Sequence, residues 1–191
     1  MNIVLFGSGG QAKVIIDIIQ CGREDTLIGI ITEKDILEGQ IHGVPIIGND
    51  NDLPSLSKKL GFNHGIIGVY DNFVRHAIKD RIIDLLPGFE FVTAIHPQAS
   101  ISSSAQIGAG TVVMGGVTIN SDCRIGQHCI VNTNSSVDHD CVMSNWSSIG
   151  PGVNLGGNVK LGELSYVGIG SAISQGVVVG ANTVIGGLSF V

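Results

Sequence analysis

The sequence predicts a two-part chain: an α/β Rossmann-like domain over residues 1–94, then a left-handed parallel β-helix of hexapeptide repeats over 95–191. Three observations carry the prediction. The chain holds ten Lys+Arg and sixteen Asp+Glu, yet only Asp122, Arg124, Asp138, Asp140, Lys160 and Glu163 fall after residue 94. Before that point apolar strands alternate with helical patterns, which implies a parallel sheet. After it, every sixth residue from Ile95 through Ile101, Ile107, Val113 and onward to Ile185 and Val191 is aliphatic or Met. Such a fixed period is the signature of a repeat architecture.

The first domain reads in order. Asn2–Phe6 is an apolar strand and Gly7-Ser8-Gly9-Gly10 a turn. Gln11–Gln20 has helical spacing at Val14, Ile15, Ile18 and Ile19. Strands follow at Leu27–Thr32 and Val44–Ile47, a helix over Asp52–Leu60, a strand at Gly65–Val69, a helix from Asn72 to Leu86, and Phe89–Ala94 leading into the repeat.

Within each hexapeptide, a small or β-branched residue precedes the aliphatic by two positions, as at Ala99, Thr111, Ser135 and Thr183. The strand period of two turns both inward. Glycine often follows the aliphatic, as at Gly108, Gly126, Gly150 and Gly156, and is expected to allow the tight turn to the next strand. Three strands make a coil of about 18 residues, and stacked coils bury a continuous column. Each buried Ile, Val or Leu contributes about 1.5–3 kcal/mol. Cys123, Cys129 and Cys141 occupy the small inward column and read as packing residues.

Composition narrows the function. Hydrophobic residues at 43 % support a buried core, while 28 glycines with only 5 % aromatics favour repetitive β structure over a helical bundle. A net charge of −6 gives no support to nucleic-acid binding. No apolar run reaches the roughly 18–20 residues of a membrane span. The start, MNIVLFGSGG, lacks a basic region and a cleavage site. The expectation is a cytoplasmic protein with reduced thiols.

Two places could carry chemistry. Gly7-Ser8-Gly9-Gly10-Gln11-Ala12 fits G-x-G-x-x-G/A between a strand and a helix, where backbone amides attract phosphate. Glu33 follows the second strand where a ribose hydroxyl would be held. A nucleotide or nucleotide-sugar phosphate fits best, with a nicotinamide cofactor or a purely structural turn as alternatives. In the repeat, His139 lies between Asp138 and Asp140, and a carboxylate beside an imidazole raises its basicity, as a general base requires. One coil on stands Gly157, expected to leave open space beside the ring; one coil back stands Ser121. A solvated surface Asp-His-Asp is the bland alternative. His96 reads as structural and His128 as a surface residue. With no third histidine nearby, no metal site is expected.

These residues resemble the bacterial NeuD/PglD-type sugar acetyltransferases, over nearly the whole chain. The resemblance rests on Val4-Leu5-Phe6-Gly7-Ser8-Gly9-Gly10-Gln11-Ala12-Lys13-Val14, Gly43-Val44-Pro45-Ile46-Ile47-Gly48, and Ile67-Gly68-Val69-Tyr70-Asp71-Asn72 with Arg75. His96-Pro97 and Asn132-Thr133-Asn134-Ser135-Ser136-Val137-Asp138-His139-Asp140-Cys141 complete it. It implies transfer from acetyl-CoA to an amine or hydroxyl of a nucleotide-linked or surface-glycan precursor sugar. His139 would be the catalytic base and Asp140 the carboxylate that raises its basicity. The nucleotide sugar would meet Gly9, Gly10, Gln11, Thr32, Glu33 and Gly68; acetyl-CoA would meet Ser148, Gly157, Ile169 and Gly187. The resemblance further implies a homotrimer with sites between subunits. Gln11 and Ser148 stand where the family usually has His, and the family's Gly-x-Pro-Ala-Lys-like tail does not follow the last coil. A non-catalytic scaffold with a degraded CoA site, or a nicotinamide-dependent oxidoreductase, is the alternative.

Overall fold

A computed structural model describes residues 1–22, 26–32 and 39–191. The chain divides into two compact units, Met1–Ala94 and Ile95–Val191.

In the first unit, β1 (Asn2–Phe6) runs into α1 (Gly10–Cys21), then come β2 (Thr26–Ile31), β3 (Gln40–Ile41), β4 (Val44–Gly48), α2 (Leu53–Leu60), β5 (His64–Ile67), α3 (Asn72–Leu85) and β6 (Glu90–Phe91). The sheet order is β3-β4-β2-β1-β5-β6. β1 pairs in parallel with both β2 and β5. The short β3 was not expected. It pairs antiparallel with β4 across His42-Gly43, whose φ values of 48° and 82° suit a two-residue hairpin turn. Helix α1 buries Ala12, Ile15, Ile16 and Ile18, whereas Val14 is exposed. Of the four expected positions, Ile15 and Ile18 are thus buried and Ile19 half-buried, and Ala12 is the residue that packs against Gly68. A Cβ on Gly68 would stand 3.0 Å from Ala12 Cα. On one side of the sheet, Val4, Phe6 and Ile31 pack with Leu53, Phe62, Ile78, Ile82 and Phe89.

The second unit is a parallel β-helix. Two-residue strands run from β7 (Ala94–Ile95) to β22 (Val184–Ile185), one every six residues. Each up to the strand at Tyr166–Val167 pairs with the strand eighteen residues on, as Ser136↔Asn154 and Val137↔Leu155 do. Three walls result. The first carries Val112, Ile130, Ser148 and Tyr166; the second Thr118, Ser136 and Asn154; the third Arg124, Val142 and Lys160. The aliphatic column forms the core together with the small column, including Cys123, Cys129 and Cys141, all fully buried. Only its ends, Ile95 and Val191, are well exposed.

The turns differ from the expectation in mechanism. Every sixth residue from Gly110 to Leu188 has positive φ, and nine of these are not glycine: Asp122, His128, Asn134, Asp140, Trp146, Asn158, Leu164, Asn182 and Leu188. The left-handed position is thus three residues after the aliphatic. The glycine directly after the aliphatic has another task, close approach between coils. A Cβ on Gly150 would lie 2.8 Å from Ile169 N, and one on Gly156 2.8 Å from Gln175 N.

His128 also departs from its expected surface position. It is 3 % exposed, and its ring lies on Trp146, one coil further along, with centroids 4.1 Å apart and planes within 3°. Left-handed residues stack vertically along each edge of the prism, so an aromatic ring eighteen residues on covers the imidazole. His96 has a local structural role, its Nδ1 accepting from Gln98 N at 3.0 Å.

Candidate active site

His139 sits at the edge between the second and third walls, in the turn from β14 (Ser136–Val137) to β15 (Val142–Met143). Its peptide is fixed on both sides. Its N–H donates to Asp138 Oδ1 at 2.8 Å, and its carbonyl accepts from Asn158 N at 2.9 Å on the following coil. Asp140 N donates to Ser121 O at 3.0 Å on the preceding coil. The imidazole keeps 49 % of its side-chain surface.

Nδ1 of His139 lies 2.8 Å from Asp140 Oδ2. A carboxylate only accepts, so the proton sits on Nδ1 and Nε2 carries the lone pair. The hydrogen bond to Asp140, followed by the negative charge of Asp138, raises the pKa of the imidazole above its usual range. Asp138 itself is held below the usual carboxylate range, first by the side-chain amide of Asn120 and then by the His139 N–H. The site therefore offers an oriented, strengthened base at the solvent edge of a rigid wall.

Gly157 does lie one coil above the ring, but its missing side chain does not leave an empty notch. A Cβ there would stand 2.6 Å from His139 Nε2 and 2.7 Å from Cε1. The ring itself takes the space, so glycine sets how low the base can lie against the wall.

The four residues expected to meet acetyl-CoA are not all together. Gly157 is beside His139. Ile169 and Gly187 are neighbours at the edge between the first and second walls; both are exposed, and a Cβ on Gly187 would lie 3.1 Å from Ile169 Cγ2. Ser148 lies within the first wall and is fully buried, so its hydroxyl offers no contact to a ligand in solution. A wall residue next to an inward aliphatic normally faces outward, so sequence alone gave no sign of this burial.

In the first unit, Gly9 caps α1 without a side-chain hydrogen bond, and a Cβ on Gly9 or Gly10 would meet nothing within 4 Å. The first N–H groups of this twelve-residue helix have no intrahelical partner and no side-chain cap, the condition under which a helix start can hold an anion. A cavity of about 190 Å³ lies where the parallel strands end, lined by Gly7, Ser8, Gly9, Thr32, Asp50, Val69 and Val74 among others. Ligands bind at such carboxyl ends in open α/β sheets. Gly9 and Thr32 are therefore brought together, with Ser8 Oγ 3.1 Å from Thr32 Oγ1. Gln11 Nε2 is buried with no hydrogen-bond partner among the described residues, a costly state that a polar ligand or water relieves. Gly68 does not line the cavity; it lets α1 approach the sheet. Glu33 lies outside the described residues. Ser8 and Asp50 were not singled out from sequence. Ser8 sat inside the glycine motif, but Asp50 reaches the cavity only through the sheet order.

The chain thus combines an α/β unit with a cavity at its glycine turn and a β-helix that carries an imidazole bonded to a carboxylate. The PglD N-terminal domain family matches residues 2–82. The chain is 28 % identical over 181 residues to the GDP-perosamine N-acetyltransferase of Escherichia coli, covering 91 % of this chain and 78 % of the relative. The structure of PerB from Caulobacter crescentus in complex with CoA and GDP-perosamine superimposes with a TM-score of 0.91 at 36 % identity, covering all of this chain and 88 % of the other. The acetyltransferase domain of PglB from Neisseria gonorrhoeae gives 0.88 at 31 %, covering all of this chain and 90 % of that domain. Alanine and asparagine variants at one histidine of the Caulobacter enzyme also match at 0.91, each with CoA and GDP-perosamine.

The chain belongs to the PglD/NeuD-like sugar acetyltransferase family, with its Rossmann-like first domain and left-handed β-helix. It is an acetyl-CoA-dependent acetyltransferase, and neither the scaffold nor the oxidoreductase alternative is needed.

Proposed function

We propose that this enzyme moves the acetyl group of acetyl-CoA to the amine of a nucleotide-linked amino sugar, a GDP-perosamine-type acceptor, with His139 as general base. The observation that carries the reading is the 2.8 Å contact of Nδ1 with Asp140, which leaves the lone pair on Nε2. The acceptor nitrogen attacks the thioester carbonyl carbon and forms the C–N bond. Nε2 takes the proton that the nitrogen loses. The C–S bond breaks, and the thiolate leaves to be protonated as free CoA. The nucleotide would lie over the open N-terminus of α1, with Gly9, Gly10 and Thr32 at its phosphates and base and Gln11 Nε2 gaining a partner.

Geometry supports a shared site. His139 and the Ile169–Gly187 pair occupy different edges of one prism, so a site using both takes one edge from each of two chains. A closed homotrimer supplies three such sites. The same reading places the enzyme in the cytoplasm, as the buried thiols of Cys123, Cys129 and Cys141 suggest. Among the described residues, no helix is long and apolar enough to cross a membrane.

The test is CoA thiol release with GDP-perosamine as acceptor. His139→Ala is expected to lower kcat at least ~10²-fold with the fold intact. Retained turnover in that variant, or full activity in a species that sediments as a monomer, overturns the corresponding half of the reading.

A further inference from the structure

We infer that Asp138 is a positioning residue of this site, holding the peptide of the base and presenting a second fixed negative charge to its ring. The inference rests on the assignment of His139 as base. Four observations support it.

Asp138 Oδ1 accepts two hydrogen bonds, each 2.8 Å: one from His139 N, the other from Asn120 Nδ2 in the same register of the preceding coil. Its backbone is tied to the following coil, with Asp138 N donating to Leu155 O at 3.0 Å. The carboxylate thus links the preceding coil to the one peptide that carries the base, while its backbone N–H makes the usual bond to the coil after.

Its place in the repeat is unusual. The position just after the inward aliphatic is Gly at 108, 126, 150, 156, 162, 168, 180 and 186, and Ser or Asn at 102, 120, 132, 144 and 174. Asp138 is the single carboxylate of that column. Packing of the coils therefore does not call for an acid here.

The charge has a clear recipient. Among the described residues, the charges that act on the His139 ring are Asp140 and Asp138 on its own turn; Gly156, Gly157 and Asn158 on the turn after carry no ionisable side chain, and the thiols of Cys123 and Cys141, which interact with Asp138, are buried in the core. Of the two carboxylates, Asp140 bonds Nδ1 and Asp138 acts on the ring through its charge. Asp138 remains ionised because Asn120 and the His139 N–H hold its carboxyl below the usual range. The roles divide: Asp140 selects the tautomer, while Asp138 sets the height of the peptide and strengthens the base.

The experiment compares Asp138→Asn, Asp138→Ala and Asn120→Ala in the full chain. The readouts are the pH profile of kcat/KM, KM for acetyl-CoA, and the imidazole pKa of His139 by NMR titration. Asp138→Asn keeps an oxygen acceptor and removes the charge. It is expected to lower the imidazole pKa and move the acid limb of the profile to lower pH, with KM for acetyl-CoA unchanged. Asp138→Ala also frees the peptide and is expected to lose roughly tenfold or more in kcat. Asn120→Ala is expected to reduce kcat by less. An unchanged imidazole pKa in Asp138→Asn, or parental kcat in Asp138→Ala, overturns the inference. The NMR arm reads the coupling without turnover. Failure here is thereby distinguished from failure of the base assignment, which His139→Ala tests.

Discussion

Gly157→Ala is a steric probe of the base that leaves every polar group in place. A Cβ at this position would stand 2.6 Å from Nε2, 2.7 Å from Cε1 and 3.3 Å from Cδ2 of His139. Ordinary van der Waals contact begins at 3.4 Å, so the ring must rise by about 0.8 Å. It cannot do so and keep the 2.8 Å contact with Asp140 Oδ2, because that carboxylate is fixed by a left-handed residue (φ 60°) whose N–H is tied to Ser121. A displacement near 1 Å at a reacting centre costs about 10²-fold. Gly157 has no positive φ, so alanine adds no backbone strain. The expectation is a kcat about 10²-fold lower at an unchanged Tm, read by CoA thiol release and thermal melting. Gly180→Ala is the control, since its Cβ would meet only Thr183 Oγ1 at 3.6 Å, and parental activity is expected. Parental kcat in Gly157→Ala would refute the claim that the ring rests against this coil in the working enzyme.

Asp140→Asn keeps the shape and the left-handed turn but replaces the carboxylate whose hydrogen bond, first, and charge, last, raise the imidazole pKa. The base works unprotonated, so the acid limb of kcat/KM against pH should shift to lower pH while maximal kcat falls; a limb that does not move excludes the pairing. Trp146→Ala should destabilise the β-helix by about 3–5 kcal/mol, measured by denaturant unfolding, because the indole is 5 % exposed and covers His128. A loss below about 1 kcal/mol would mean the stack is ornamental. Alkylation of the native protein near neutral pH should label Cys21, which is exposed, and spare Cys141, whose thiol burial pushes up to about 11. Mass spectrometry showing labelled Cys141 in the folded protein contradicts that burial.

The β-helix was legible because its period is one-dimensional. A column of aliphatics every six residues states the strand, the inward face and the coil length at once. What lay between coils was harder to read. The sequence marks Gly108 or Gly150 as special but does not say whether φ or close approach is the reason. The burial of His128 required pairing it with Trp146, eighteen positions away, at an edge rather than on a wall. In the first unit the glycine motif and the strand–helix order were plain. The hairpin of β3 and β4 was missed because Gln40–Ile41 is too short to show alternation, although His42-Gly43 was a usable turn signal. Asp50 could not be linked to Thr32 from sequence, since that neighbourhood exists only once β4 lies beside β2.

The dyad itself shows why a turn of this kind suits a base. Adjacent residues in a strand point to opposite faces, so a carboxylate at i+1 is normally turned away from an imidazole at i. At His139–Asp140 the chain leaves the strand, and the left-handed φ of 60° at Asp140 folds its carboxylate back onto Nδ1. Asp and Asn tolerate that conformation better than most residues, so the required acid is also a residue the turn accepts. The repeat provides such a left-handed position every six residues, already anchored to both neighbouring coils. Placing a His just before one of them, with a glycine one coil later to seat its ring, is enough to convert a structural corner into an oriented base.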